Sequence, residues 1–164
     1  SVRSRGLVDV YKRQIEYGAN IGAIFGNVAY PLLHAIPGNQ SLWLMTSAFN
    51  KLNFLEFVCD RYTGFYLENH WDGFFMNKIP LVKKLNLRLV TSGRLAYGSL
   101  SQRHEANMLF PDFIKEFERV PYAESTIGIE NLFKFFRVDL VWRMTYLDET
   151  TNPLGIRAKF ALNF

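Results

Sequence analysis

One cysteine, Cys59, stands in 164 residues. A single thiol excludes an internal disulfide framework and any multi-cysteine metal centre. With no histidine or base motif beside it, Cys59 reads as a small apolar residue. Long apolar runs are also missing. Charges or turn residues interrupt every stretch before the roughly 20 residues that a membrane helix needs. That excludes spanning helices and leaves open a membrane barrel, whose strands are short and alternating. The common catalytic signatures are absent as well: no HExxH, GxSxG, GxxxxGK[ST] or GxGxxG occurs. His34, His70 and His104 are widely spaced, and His70 has Glu68 two residues away on its own strand face. That pair reads as polar structure rather than acid–base chemistry. Neither a cofactor nor an enzymatic activity is expected.

Excess charge of one sign is smaller than it looks. The formal net charge is +4. Arg3, Arg5, Lys12 and Arg13 against Asp9 place +3 of it in the first fourteen residues, and the other 150 carry +1. The sequence pI of about 9.2 is therefore no argument for nucleic-acid binding. The segment VDVYKRQ resembles translated sequencing adapter, so residues 1–14 are expected to be a non-native tail.

What the chain does have is alternation. Its last ten residues place Ile156, Ala158, Phe160, Leu162 and Phe164 on one face of a strand. Gly155, Arg157, Lys159, Ala161 and Asn163 fall on the other. Residues 137–147 repeat the pattern. Val138, Leu140, Trp142, Met144 and Tyr146 oppose Arg137, Asp139, Arg143 and Thr145, with Val141 the one exception. Residues 122–131 set Ala123, Ser125, Ile127 and Ile129 against Glu124, Thr126 and Glu130. Residues 85–97 set leucines and Tyr97 against Asn86, Arg88, Ser92 and Arg94. Residues 59–72 alternate less cleanly, with Arg61 and Asn69 on the apolar side. Residues 15–25 and 42–48 are further expected strands, which makes seven. The link at 131–136 predicts a tight hairpin, and 101–120 a short helix after Pro111 or a loop folded over a rim. Gly18 and Gly22 form GxxxG outside any apolar 20-mer, which points to strand bending rather than helix pairing.

Charges of both signs opposite an apolar face suit a polar lumen and a lipid-facing exterior. The aromatic content is high at 16%, and Tyr62, Tyr66, Tyr97, Trp142 and Tyr146 are candidate girdle residues. The alternative is a soluble β-rich module, a sandwich or lipocalin-like barrel holding a hydrophobic ligand.

Several blocks carry a family resemblance. They are Gly38-Asn39-Gln40, Ala48-Phe49-Asn50 and the run from Glu56 to Tyr62. Leu67 to Phe75 and Asn77 to Leu81 continue it. Pro121 to Glu124, Gly128 to Asn131 and Arg137 to Asp139 close it. Together they resemble the C-terminal barrel of a bacterial outer-membrane family. Its members join a carboxypeptidase-like regulatory sandwich to a barrel domain of unknown function, distantly similar to surface-antigen assembly barrels. The sandwich is not catalytic, so the resemblance implies no peptidase.

The expectation is thus an all-β protein. Residues 15–164 would form the C-terminal part of an antiparallel transmembrane β-barrel, about seven strands of it, in the bacterial outer membrane. Lipid-facing positions are Val138, Leu140, Trp142, Met144, Tyr146, Ile156, Phe160 and Leu162. Lumen-facing positions are Arg88, Arg94, Glu124, Glu130, Arg137, Asp139, Arg143, Arg157 and Lys159. The resemblance implies that Phe164 is the recognition end for barrel-assembly machinery. It also admits a role in envelope assembly, translocation or transport. Expected partners are outer-membrane lipid and that machinery, with no nucleic acid.

Overall fold

The computed structural model describes residues 13–26, 32–71, 85–101, 114–115, 117–149 and 151–160. They form eight strands and no α-helix. In chain order these are β1 (Arg13–Ala23), β2 (His34–Ala35), β3 (Val58–Cys59), β4 (Arg61–Trp71), β5 (Arg88–Ser99), β6 (Tyr122–Leu132), β7 (Phe136–Arg143) and β8 (Leu154–Phe160). Six of them make one antiparallel sheet in the order β1-β4-β5-β6-β7-β8. β2 and β3 make a separate two-stranded ribbon. The sheet is open: β1 and β8 are its two edges.

The expected alternation is cleanest in β6 and β7, because a strand turns successive side chains to opposite faces, and it breaks in β4, where Glu68 and its neighbour Asn69 are both buried. Ile15, Tyr17, Phe65, Leu67, Leu95, Ile127, Leu140 and Ile156 lie on the outer face and are exposed. Glu68, Arg94, Glu124, Glu130, Arg137, Asp139 and Arg143 lie on the inner face and are buried. The polarity is the reverse of a protein that hides its apolar face. The β6–β7 hairpin forms at 131–136 as expected. Its tightness puts Asn131, Phe133 and Lys134 at positive φ, and a register shift between Ile129 and Leu132 absorbs the extra length.

The inner face is covered by the chain itself. Residues 32–59 leave the sheet after β1 and run back across it before β4 begins. Ile36, Phe49, Leu52, Phe57 and Cys59 pack there against Ala96 and Tyr122, making a small apolar core. Phe117 stacks on Phe57 with ring centroids 4.3 Å apart. The expected strand at 42–48 is therefore corrected. Those residues form no ladder strand. Only Trp43 bridges the sheet, in parallel to Ala158 on the outer edge of β8. Leu44 N–H donates to Ala158 O at 2.6 Å, and Ala158 N–H donates to Leu42 O at 2.9 Å. The ladder count falls from seven to six because β1 pairs directly with β4 over eleven residues, which leaves no place for a strand between them. The short helix considered after Pro111 is corrected where it is described: residues 114–115 and 117–120 are not helical, and Lys115 instead bridges Phe57 of the inner segment.

Candidate functional site

Strand register turns isolated polar residues into rows. Gly18, Tyr66, Arg94, Glu124 and Arg143 are successive cross-strand partners from β1 to β7. Opposite charges on facing residues attract across the ladder, and the inner segment is fastened to some of them. Two charged centres result.

The first is built around Arg137, 1% exposed. Its Nη1 donates to Glu68 Oε1 at 2.8 Å and to Glu130 Oε1 at 3.1 Å. Its Nε and Nη2 hold Asp139 Oδ2 and Oδ1, both at 2.8 Å. His70 stands between the same glutamates, 3.1 Å from Glu68 through Nε2 and 3.2 Å from Glu130 through Nδ1. Three strands, β4, β6 and β7, contribute to this centre, and Glu68 and Arg137 are 69 residues apart in the chain. The guanidinium supplies donors in a fixed fork, and buried carboxylates of this kind are tolerated only when so paired.

The second centre fastens the inner segment to the sheet. Glu124 accepts the backbone N–H of Asn50 at 2.9 Å and of Lys51 at 3.1 Å. Tyr122 Oη donates to it at 3.3 Å, and Arg94 Nη1 reaches it at 3.5 Å. Arg143 grips Glu56 through two nitrogens, at 3.1 and 2.7 Å. Arg157 donates to the carbonyls of Asn50 and Asn39, at 2.6 and 3.4 Å. Asn50 Oδ1 in turn accepts from Asn39 Nδ2 at 2.7 Å and from Met45 N–H at 2.9 Å. Burial would raise the Glu56 carboxyl, but the Arg143 hydrogen bonds and the Asn53 amide outweigh it and hold the group below its ordinary range. Lys115 lies 3.6 Å from Glu56 and also pairs with Asp148.

Comparison with family models, with curated proteins and with solved structures finds no match. The site is therefore read from its own chemistry. Among the described residues no group of three His, Cys, Asp or Glu side chains is arranged to hold a metal ion. Cys59 is fully buried, and burial, with Asp60 beside it, pushes its thiol up to about 12. That suppresses the reactive thiolate.

Most expected inner positions come together. Glu130, Arg137 and Asp139 meet in the first centre, and Arg94, Glu124, Arg143 and Arg157 in the second. Arg88 stands opposite Glu130 in the register, half-buried. Lys159 stands opposite Arg137. On the outer face Val138, Leu140, Trp142, Ile156 and Phe160 are all exposed. Met144 is exposed too, one residue beyond the end of β7. Leu162 and Phe164 lie outside the described residues.

Three aromatic placements are corrected. Tyr146 does not share the outer face: its ring packs edge-on against Phe57, and its hydroxyl donates to Val120 O. The cause is that β7 ends at Arg143 and the chain turns, with Tyr146 at positive φ. Tyr62 and Tyr66 are likewise no outward girdle. They lie on the inner face over Gly22 and Gly18, where a Cβ would come within 2.4 Å of either ring. GxxxG is thus a pair of seats for tyrosine rings, which replaces the expected bend. Sequence reasoning also missed Asn39, Asn50 and Glu56 as fasteners. The available signal was length: a connection from 24 to 60 is far too long for an ordinary hairpin loop.

Proposed function

We propose that this chain is part of the wall of a bacterial outer-membrane β-barrel, with residues 32–59 folded into the lumen. The observation that carries the reading is the inverted polarity of the sheet. A contiguous apolar face left outside marks a surface that meets lipid or protein. Lipid fits best, because β1, β4, β5 and β6 are 11, 11, 12 and 11 residues long, the length a tilted spanning strand needs. Aromatic Trp142, Tyr97 and Phe160 on that face suit the interfaces.

Backbone groups in lipid must all pair within protein, and six strands are fewer than the eight of the smallest known barrels. Closure therefore calls for strands besides these six. The resemblance noted in the sequence points the same way. By that resemblance, the terminal strand and Phe164 engage barrel-assembly machinery, and the whole protein serves envelope assembly, translocation or transport. No catalysis is assigned to it.

The test uses the chain with Cys59→Ala and one new cysteine, carrying an environment-sensitive fluorophore, after reconstitution into phospholipid vesicles. Labels at Leu140→Cys and Ile156→Cys are expected to be quenched by nitroxide lipids. A label at Gln40→Cys should be quenched by aqueous iodide instead. A chain that remains an aqueous monomer with a cooperative melt, and whose outer-face labels never meet lipid, would favour the soluble binding module and refute the membrane reading.

A further inference from the structure

The inner segment does not cover the whole inner face. Between β1 and β4 on one side and residues 46–49 on the other lies a cleft of about 430 Å³, a size that holds small organic ligands. Its floor is shallow because Gly18 carries no side chain and the Tyr66 ring lies down over it. The neighbouring Tyr62 ring is already stacked on His34, with centroids 3.6 Å apart. Tyr66 stacks on no ring among the described residues, lines the cleft and is 38% exposed.

Arg94 lines this cleft and is 5% exposed. Its guanidinium makes one long hydrogen bond, 3.5 Å to Glu124, and its Nε has no partner among the described residues. Glu124, by contrast, is already held by two backbone amides and the Tyr122 hydroxyl. A buried cation with donors to spare is costly, and this one borders open volume. Its surroundings favour a negative guest. Arg143, Arg157 and Lys51 stand about the same glutamate, while Glu56 is already committed to Arg143.

We propose that the cleft binds a small organic monoanion, a carboxylate joined to a flat apolar or aromatic body. The carboxylate sits on the Arg94 guanidinium, whose planar fork matches it. The body lies on the open face of Tyr66. A second negative charge is disfavoured by Glu124 close by. The proposal rests on the cleft itself and holds whether the outer face meets lipid or protein.

The probe is 2-naphthoate, titrated into the 164-residue chain in detergent micelles beside its neutral analogue 2-naphthamide. Saturable binding of the acid at least about tenfold tighter than the amide is expected, as befits a charge-assisted contact. In Arg94→Gln that preference should vanish, and in Tyr66→Ala both probes should weaken. Equal binding of acid and amide overturns the proposal, as does unsaturable partition of both into the micelle or an undiminished preference in Arg94→Gln. The wild-type comparison of acid and amide decides the question even if Arg94→Gln fails to fold.

Discussion

Arg137 shows how much a single side chain can organise. It bonds three buried carboxylates, and truncation removes the cation that all three share. Arg137→Met is expected to destabilise the fold by about 3–5 kcal/mol, the cost of breaking a buried pair; the denaturation midpoint measures it, and a change within error would mean that the cluster is hydrated. Glu56 gives a pH test. Its folded carboxyl is held below the unfolded value, so its contribution is fully present above the ordinary carboxylate range. It is lost as pH falls through the folded value. Stability should therefore drop on acidification, and Glu56→Gln should flatten that part of the profile. The identity of such residues was legible as a polar face; their partners were not. Nothing in the local sequence pairs Arg143 with Glu56, 87 positions earlier, because that contact depends on where the inner segment lies.

Strands were the most legible elements. Period two marked β6 and β7 most clearly, because each buries one kind of side chain and exposes the other. Residues 42–48 misled for the same reason: a short apolar stretch suits a strand or an irregular segment packed on one. The outer face of β7 supplies a prediction. In a bilayer, Leu140→Arg at mid-strand is expected to cost about 2–4 kcal/mol, and Leu154→Arg near the strand end about 0–1. In water both exposed sites would be near neutral, so unfolding of the two variants in vesicles separates the cases. β1 offers a packing test. Gly18→Ala drives a methyl group into the Tyr66 ring, an overpacking expected to cost about 1–3 kcal/mol. The penalty should largely disappear in a Tyr66→Ser background; a penalty independent of Tyr66 would place the strain in the backbone.

On the scale of the molecule, the inner segment joins the start of the sheet to its end. It leaves β1, crosses the charged face and pairs with the far edge of β8 at Ala158. Trp43 secures that contact by stacking on Phe160, with centroids 5.1 Å apart. Trp43→Ala should speed hydrogen exchange at the amides of Leu44 and Ala158 and leave β5 and β6 unchanged, since local openings report local contacts. Uniform acceleration across the sheet would instead make Trp43 part of global stability.

By itself the sequence determined the strands and their two faces, because alternation is a local property that backbone geometry converts directly into sidedness. It also determined the absence of the common catalytic motifs. Only the tertiary structure decided which charges meet, that residues 32–59 fasten to Glu124, Arg143 and Arg157, and that Tyr66 and Arg94 border a cleft. Those contacts join residues far apart in the chain, and they exist only once strand register and the path of the inner segment are set.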